Sequence, residues 1–499
     1  MKAFLMFRDR DFDLQQTLPP NEQELTQDLE LNTLFDAMAL DDDFLREAAR
    51  KAVLQGVKDP QAIRYRQDIL KDCLNNPDVV RDIYRIPIES IANKRRHWMG
   101  IFSYYPGGVL SNSIELMQMF MTLLRKLKHI TDEHSGNFAS EGFTAFFAMI
   151  RRELDDDYFA VVDNHLRELR FRDGALLSAR LGPGNEGADY LLRKPHPKDP
   201  NWIKRIISWG NPVYSFRISD RDESGARALS ELEDIGINLV ANALAQSADH
   251  IDSFFNMLRM ELAFYVGCIN LYEQLAKIGE AVSYPLPVAP EERRHSFHGL
   301  YDVCLALTKK QKTVGNDADA DNKDLVIITG ANQGGKSTFL RSVGLAQLMM
   351  QCGMFAPAEY FNANISDGIF THFKRKEDAS MKSGKLDEEL SRMSIIADVI
   401  TSNSLALFNE SFAATNEREG SEIARQITCA LLEKRVKVFY VTHQYKFAHD
   451  FHENKMENAI FLRAERRADG GRTYKVIEGE PLQTSYGKDL YDKIFGTVV

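Results

Sequence analysis

Apolar residues in the first half of the chain recur mainly at the spacing of α-helices. The repeat is already visible at Leu29, Leu31, Leu34, Phe35 and Met38. Because apolar residues three or four positions apart share one face of a helix, this spacing predicts a helical core domain over residues 1–110. Helical spacing also predominates from residue 111 to 285, which predicts a second, mostly helical domain.

One apolar stripe in this second region is long. Its members fall at steps of three, four and seven: Val240, Leu244, Ile251, Phe255, Leu258, Leu262, Tyr265, Ile269 and Tyr272. The stripe predicts one helix of about 40 residues, which exceeds the length of most globular helices. Another long helical stretch begins at Asn112. Two such stretches around a small insertion predict an antiparallel helical arm with a tip over residues 111–285.

The insertion, residues 172–220, contains frequent glycines and prolines. Within it, Leu176–Leu181 and Val213–Ile218 are apolar runs that predict short strands. The segment and its approach are basic, at Arg167, Arg170, Arg172, Arg180, Arg193, Lys194, Lys198, Lys204, Arg205 and Arg217. Aromatic residues are interleaved with these charges, at Tyr190, Trp202, Trp209, Tyr214 and Phe216. Such a mixture is typical of a surface that contacts a phosphate backbone, and a solvated irregular insertion is the alternative.

The pattern changes after the proline-containing stretch at residues 284–290, which we interpret as a domain boundary. Beyond it, short apolar runs alternate with helical spacing. The predicted strands are Leu325–Thr329, Ala358–Phe361, Gly368–His372, Leu405–Phe408, Lys437–Thr442 and Ala459–Leu462. Strands that alternate with helices predict an α/β domain with a mostly parallel sheet over residues 290–499. The predicted fold class is therefore multidomain, with helical domains followed by an α/β domain.

Composition narrows the class of protein. The chain has 499 residues, of which 44% are hydrophobic and 27% are charged, as in ordinary globular proteins. A formal net charge of −10 argues against nonspecific nucleic-acid binding by the whole chain, although it allows a local basic surface. The five cysteines form no C-x-x-C pair, which fits a reducing compartment. With no signal peptide or membrane-length apolar run, the sequence predicts a cytoplasmic protein.

Candidate chemistry begins at Asp324, where the sequence reads D-L-V-I-I-T-G-A-N-Q-G-G-K-S-T. An apolar strand leads into G-x-x-x-x-G-K-[ST] and a helical pattern follows, which is the context that a phosphate-binding loop requires. The predicted ATP-binding residues are Gly330, Ala331, Asn332, Gln333, Gly334, Gly335, Lys336, Ser337 and Thr338. In this interpretation Lys336 reaches the β- and γ-phosphates and the Ser337 hydroxyl ligates Mg²⁺.

Two later strand ends supply partners for this loop. The apolar strand Leu405–Phe408 ends in Asn409 and Glu410. In an ATPase of this type the first position holds Mg²⁺ and the glutamate polarises the attacking water. Asn409 keeps an oxygen ligand without the negative charge of aspartate, so we expect weakened Mg²⁺ binding. His443 ends another strand, at the sheet edge where it faces the ligand, and is predicted to sense the γ-phosphate.

At this point the sequence resembles the MutS family of DNA mismatch-repair ATPases. The run T-G-A-N-Q-G-G-K-S-T-F-L-R is similar to that family's phosphate loop, and Asn409-Glu410 with Thr415 and Gly420 resembles its D-E-x-G-R-G-T-S-x-x-D-G block. Thr442-His443-Gln444 and Ser485-Tyr486-Gly487 are similar to two later motifs of the family. The resemblance is specific across residues 290–490 and implies a helical core, a lever arm and an ABC-type ATPase domain.

The resemblance also implies further site residues and partners. Ser383 and Gly384 look like the signature segment that completes the ATP site of a second subunit, which implies an ATP-dependent homodimer. Val314 stands where the family has an adenine-stacking aromatic residue, and Asn316 lies beside it. The implied cofactors are ATP and Mg²⁺, and DNA is the implied partner.

The sequence departs from the family pattern at several places, and these departures change what we expect of its domains and its dimer. The helical core begins almost at residue 1, so we expect no mismatch-reading N-terminal domain. The segment after Glu410 reads S-F-A-A-T, so the family's G-R-G is lost. The chain ends soon after Ser485-Tyr486-Gly487, so we expect a dimer that is weak without ATP.

Three functions remain open from the sequence. The first is a DNA-binding ATPase that clamps on or moves along DNA in repair or recombination. The second is a nucleotide-gated scaffold with little turnover and no mismatch recognition, which the neutral Asn409 favours. The third is a small-molecule kinase, which the long arm and the Glu410–His443 combination disfavour. Phosphate release without an acceptor separates the first from the third.

Overall fold

The computed structural model describes residues 1–98, 105–172, 174–194, 217–219, 221–375, 384–467 and 471–483. Its helices are α1 (Glu22–Asp28), α2 (Leu31–Ala39), α3 (Asp43–Gln55), α4 (Pro60–Asn75), α5 (Pro77–Trp98), α6 (Pro106–His134), α7 (Glu141–Glu153), α8 (Asp156–Glu168), α9 (Glu223–Ile278), α10 (Val303–Lys309), α11 (Lys336–Gln351), α12 (Lys385–Val399), α13 (Glu417–Glu433) and α14 (Tyr445–Glu453). Its strands are β1 (Leu176–Leu181), β2 (Gly187–Arg193), β3 (Leu286–Val288), β4 (His295–Leu300), β5 (Asn316–Asp319), β6 (Leu325–Gly330), β7 (Tyr360–Asn364), β8 (Ile369–Phe373), β9 (Leu405–Asn409), β10 (Lys437–Val441), β11 (Ala459–Arg466) and β12 (Arg472–Glu478).

The chain divides into two compact units. The first comprises Met1–Ala3, Arg81–Gly136 and Ala145–Arg259, and the second comprises Phe4–Val80, Asn137–Thr144 and Met260–Val499. Helix α9 contributes residues to both units. Among the described residues, no helix is both long enough and apolar enough to span a membrane.

In its described residues the first unit is helical apart from one small β-hairpin. Phe120 of α6 packs against Phe255 of α9 with ring centroids 5.8 Å apart, so the apolar stripe of α9 contributes to this core. Helix α9 has 56 residues, which is longer than the helix that its stripe predicts, because polar residues at its N-terminal end continue the helix beyond the stripe. Helix α5 contains a proline at Pro87. The other described helices of this unit are all shorter than α9.

Strands β1 and β2 pair in an antiparallel hairpin that turns at Pro183–Asn185. The strand that we predict at Leu176–Leu181 is therefore confirmed. For the predicted strand Val213–Ile218, residues 213–216 lie outside the described residues, and residues 217 and 218 are not in a strand. The hairpin packs closely on α9, since a Cβ added at Gly236 would lie 2.3 Å from Leu177 Cδ2.

The second unit contains the predicted α/β sheet. Its six strands run in the order β12-β11-β6-β10-β9-β8, and every neighbouring pair is parallel except the edge pair β11–β12. A mixed helical and α/β fold with a mostly parallel sheet is thus confirmed. A further four-stranded sheet, ordered β3-β7-β4-β5, lies in the same unit. Of these strands, β3, β4, β5 and β12 have no counterpart among the strands predicted from the sequence.

Both faces of the six-stranded sheet are covered, which explains its continuous apolar strands. All residues from Leu325 to Ile328 are fully buried. Because successive side chains of a strand point to opposite faces, Leu325 and Ile327 pack with the apolar residues of α13 and α14. Helix α11 covers the other face so closely that a Cβ at Gly344 would lie 2.7 Å from Leu407 Cδ1. Strands β6, β9 and β10 consequently end at one rigid edge, where parallel sheets bind their ligands.

Candidate functional site

The phosphate loop, residues Gly330–Ser337, leads from β6 into the first turn of α11. Gly330 has a φ of 109° and Gly335 has a φ of 90°, a backbone conformation that favours glycine. A Cβ at Gly330 would also lie 2.8 Å from the backbone nitrogen of Ala464. The loop therefore ends at the N-terminus of a 16-residue helix, where backbone N–H groups and the helix dipole favour an anion.

Lys336 lies within this loop, with a side chain that is almost fully buried. Its Nζ donates hydrogen bonds of 3.0 Å to the carbonyl oxygens of Gly330 and Ala331. Burial is the main cause that lowers the pKa of the Lys336 amine to about 8. The Glu410 carboxylate opposes this shift and the positive charge of Arg472 contributes to it. The site therefore holds a cation in surroundings that solvate it poorly, which strengthens its attraction for a phosphate.

Ser337 and Asn409 meet across the same edge of the sheet. The Ser337 hydroxyl donates a hydrogen bond of 2.9 Å to Asn409 Oδ1. Both side chains offer neutral oxygen atoms, and Mg²⁺ in nucleotide sites takes few protein oxygens and completes its shell with water and substrate phosphates. The described residues contain no cluster of three or more His, Cys, Asp and Glu side chains suited to a metal. The pair therefore fits Mg²⁺ that arrives with a nucleotide.

Glu410 follows β9 directly, and its carboxylate Oε1 lies 2.7 Å from His443 Nε2. Hydrogen bonding from His443 lowers the pKa of Glu410, and the charge of Lys336 contributes in the same direction. The carboxylate is consequently ionised at neutral pH and able to accept a proton. Both side chains keep close to a third of their surface exposed, so water can reach them.

These residues line one cavity of about 490 Å³. From the phosphate loop it includes Asn332 through Thr338, and from the strand ends it includes Glu410 and His443. Asn409, Gly330 and Ala331 are not among the lining residues, but each is hydrogen bonded to one of them, Asn409 to Ser337 and the other two to Lys336. Val314 and Asn316 also line the cavity, so the structure brings together nearly all the residues that the sequence singles out.

The Asn316 side chain has a structural role beside the cavity. Its Oδ1 accepts a hydrogen bond of 2.7 Å from the backbone N–H of Val476, and its Nδ2 donates to the carbonyl oxygen of Tyr474. The buried Asn316 side chain therefore ties β5 to β12. Asn316 shapes the cavity chiefly through this link, whereas Val314 is exposed at its surface.

Strand β12 adds two residues that the sequence reasoning misses. Tyr474 lines the cavity with a half-exposed aromatic ring and has a φ of 61°. Arg472 donates a hydrogen bond of 3.2 Å from Nε to the Asn332 carbonyl oxygen, so a second cation lies beside the loop. The only available signal was the alternation of Tyr474 and Val476 with polar residues, which is too short to identify a strand.

Two family models and several known proteins match parts of this chain. A family model described as MutS2 N-terminal domain matches residues 58–278, and one described as MutS domain V matches residues 326–494. The chain is 32% identical over 233 residues to the DNA mismatch repair protein MutS of Thermotoga maritima, covering 46% of this chain and 29% of that protein. It is 25% identical over 286 residues to MutS protein homolog 4 of Mus musculus, covering 55% of this chain and 29% of that protein.

The chain belongs to the MutS family. The chain spans less than a third of the length of the two relatives named above. The cavity described here lies mainly within the region that matches MutS domain V.

The segment after Glu410, which lacks the G-R-G of the MutS pattern, has an unusual backbone conformation. Phe412 stands at the position of its first glycine and has a φ of 60°, so a buried aromatic residue adopts a conformation that favours glycine. Ser383 and the Ser485-Tyr486-Gly487 motif lie outside the described residues. Gly384 precedes α12 and is not among the described residues that line the cavity.

We predict that replacing Asn409 with aspartate lowers the Mg²⁺ concentration at half-maximal ATP hydrolysis. Asn409 Oδ1 already contacts the Ser337 hydroxyl, so the substitution adds a full negative charge beside the metal position at nearly unchanged shape. An attraction of this kind corresponds to a shift on the order of tenfold.

A Mg²⁺ titration of the hydrolysis rate measures this shift. Asn403→Asp is the matched control, because Asn403 precedes the opposite end of the same strand, β9. An unchanged midpoint in Asn409→Asp would show that Asn409 does not contact the metal.

Proposed function

We propose that this chain is a DNA-binding MutS-family ATPase that couples ATP hydrolysis to clamping on or moving along DNA in repair or recombination. One observation carries the ATPase assignment: the Lys336 amine, the Ser337–Asn409 pair and the Glu410–His443 pair lie at the same edge of the sheet. The distances within these groups are 3.0, 2.9 and 2.7 Å.

Hydrolysis in this site follows from the roles of its own side chains. Lys336 binds the β- and γ-phosphates and stabilises the negative charge that develops on them. Glu410 orients a water molecule and accepts its proton, since its lowered pKa keeps it ionised. His443 holds the Glu410 carboxylate in place and lies close enough to respond to the γ-phosphate. Mg²⁺, held by Ser337 and Asn409, would neutralise phosphate charge.

The proposed domain organisation assigns residues 1–110 to a helical core, residues 111–285 to a lever arm and residues 290–499 to an ABC-type ATPase domain. The 56-residue α9 supports an arm, because a helix of this length can transmit a displacement over a long distance. The hairpin at residues 176–193 supports a DNA-contacting tip. On it, Arg180 is exposed next to the exposed apolar residue Leu181 near the turn, and Arg193 is exposed at the other end of the hairpin, opposite Leu176.

We predict that replacing Arg193 and Lys194 with alanine weakens DNA binding. Both side chains are exposed at the end of β2, where they are available to phosphates. Each lost duplex-phosphate contact should reduce the slope of log affinity against log salt by roughly 0.9. The residues Lys204 and Arg205, expected to contribute to the same surface, lie outside the described residues.

Binding is measured by fluorescence anisotropy against duplex, mismatched, branched and single-stranded DNA at several salt concentrations. Arg425→Ala/Lys434→Ala removes equal charge from the ATPase region and should leave the slope unchanged. Identical slopes for the native chain and the Arg193/Lys194 variant would mean that the hairpin does not contact DNA.

We further propose that ATP promotes a homodimer in which Ser383 and Gly384 of one subunit complete the site of the other. The support is the resemblance of this segment to a signature segment and the position of Gly384 directly before α12. A helix start offers backbone N–H groups to a γ-phosphate.

A nucleotide-gated scaffold with little turnover is the second candidate. The neutral Asn409 favours it, because two uncharged oxygens hold Mg²⁺ less firmly than a carboxylate does. Phosphate release measured at saturating ATP without an acceptor separates the candidates. Multiple turnovers support the ATPase, and tight ATP binding without turnover supports the scaffold.

A further inference from the structure

The three residues from Glu410 to Phe412 have an uncommon backbone. Glu410 has a φ of 55° and Phe412 has a φ of 60°, so two residues with side chains adopt the left-handed region within one short segment. Such a conformation is unfavourable for residues with side chains and persists only where the surroundings enforce it. The segment begins with the carboxylate proposed as the catalytic base, so whatever enforces its shape also positions that carboxylate.

A buried histidine makes the central contacts with this segment. His372 lies in β8 and is 1% exposed, and Ser411 is fully buried. His372 Nδ1 lies 2.7 Å from Ser411 Oγ, and Ser411 Oγ lies 2.6 Å from the carbonyl oxygen of His372. On the other side of the ring, Nε2 lies 2.9 Å from the carbonyl oxygen of Glu389 in α12.

The protons can be arranged in two ways, and both retain the contact with Ser411. Burial, reinforced by the charge of Arg392, lowers the pKa of His372 to about 4, so the ring is neutral and carries one proton. With the proton on Nδ1, the ring donates to Ser411 Oγ and the hydroxyl donates to the His372 carbonyl. With the proton on Nε2, the ring donates to the Glu389 carbonyl and the Ser411 hydroxyl donates to Nδ1.

Other groups fix the backbone on either side of Ser411. The Tyr440 hydroxyl donates to the Ser411 carbonyl at 3.1 Å, and Gln444 Nε2 donates to the Phe412 carbonyl at 3.1 Å. The Phe412 ring stacks on the His372 ring, with centroids 5.1 Å apart and an interplanar angle of 21°. His372 therefore contacts both residues that follow Glu410, by hydrogen bonding to one and by stacking on the other.

We propose that His372 is a positioning residue for Glu410. Through its contacts with Ser411 and Phe412 it holds the segment from Glu410 to Phe412 in its conformation and thereby keeps the Glu410 carboxylate beside His443. This inference deepens the proposed ATPase function and rests on it. His372 does not touch the substrate in this role, so its effect should fall on the rate of the chemical step and leave ATP binding intact.

Two substitutions of His372 separate its two ring nitrogens. Asparagine places an amide near the position of Nδ1 and can keep the bond to Ser411, whereas glutamine places its amide near Nε2 and loses that bond. We expect His372→Gln to lower kcat on the order of 10- to 100-fold, as small misplacements of reacting groups do, with KM for ATP nearly unchanged. His372→Asn should retain most of kcat.

A double-mutant cycle with Ser411 tests the coupling between the two residues even if the His372 variants are less stable than the native chain. Ser411→Ala removes the same hydrogen bond from the other side, so His372→Gln should have little further effect on kcat in that background. Native kcat in His372→Gln, equal loss in both His372 variants, or an undiminished effect of His372→Gln in the Ser411→Ala background would each overturn the proposal. Two parallel measurements test the proposed function independently of His372. Absence of phosphate release by the native chain refutes the ATPase assignment itself, and undiminished hydrolysis in Glu410→Gln refutes the assignment of Glu410 as the base.

Discussion

Replacing Glu410 with glutamine is expected to remove most ATP turnover while ATP binding stays close to that of the native chain. Glutamine keeps the shape of the side chain and can still contact His443, but it cannot accept a proton from water. Loss of a general base typically lowers the rate 10²- to 10⁴-fold. The pKa of Glu410 lies below its ordinary value, so the native carboxylate remains ionised down to acidic pH, and hydrolysis should decline only as pH falls through that lowered pKa.

Phosphate release and equilibrium ATP binding measure the two effects separately. Glu422→Gln on α13 is the matched control, because it makes the same chemical change at an exposed position outside the cavity. If Glu410→Gln loses ATP binding as well as turnover, the carboxylate has a structural role instead. Sedimentation of the variant with and without ATP also tests the proposed homodimer, which should persist when ATP is bound and not hydrolysed.

The parts of the site that sequence reasoning finds are those encoded locally. The loop from Gly330 to Ser337 is contiguous, and its motif demands a strand before it and a helix after it. Asn409 and His443 are far from the loop in sequence, but each ends an apolar strand, and parallel strands bring such ends to one edge. The contact between Ser337 and Asn409 follows from that rule and not from either residue alone.

The parts that sequence reasoning misses depend on contacts between distant segments. In the sequence, His372 is one residue of a predicted strand and has no distinguishing feature. Its contact with Ser411 arises only when the chain folds. Tyr474 and Arg472 lie on an antiparallel edge strand whose pairing with β11 is not visible in its short polar sequence. The left-handed conformation of Phe412 is likewise unexpected, because nothing local favours it and the tertiary contacts impose it.

The sequence underestimates the length of α9 for a different reason. Its apolar stripe predicts only the part that packs in a core, since an exposed helical turn needs no apolar residues. The additional N-terminal turns carry scattered apolar side chains such as Leu229 and Leu239, which are more than half exposed. Once the packed segment is helical, adding further turns to it is easier than starting a new helix. The helix can therefore extend through residues that show no apolar periodicity.

Replacing Lys336 with alanine is expected to weaken ATP binding on the order of 10- to 100-fold, as loss of a charge-assisted hydrogen bond does. The amine is the one buried cation held inside the loop by hydrogen bonds to Gly330 and Ala331. A bound phosphate offers that cation a negative charge that the two carbonyl oxygens do not supply. Turnover at subsaturating ATP should fall at least as far, because the same charge stabilises the transferred phosphate.

The pH dependence of binding distinguishes this electrostatic role from loss of folding. The Lys336 pKa is lowered to about 8, so the amine is charged below that pH and loses its proton as pH rises through it. ATP affinity of the native chain should therefore weaken between about pH 7 and pH 9, whereas the Lys336→Ala variant should show no such change from this group. Burying the charged amine costs the folded state free energy, so removing it should not lower the melting temperature of the nucleotide-free protein.

Isothermal titration calorimetry across this pH range, paired with thermal melts, gives both measurements. Lys310→Ala removes an exposed lysine close to the cavity and should reproduce the native affinity and its pH dependence. Native ATP affinity in Lys336→Ala would refute the assignment of the loop as the phosphate site. A loss of affinity accompanied by a large fall in melting temperature would instead show that Lys336 supports the fold of the loop, because a purely electrostatic contribution to binding leaves the nucleotide-free protein intact.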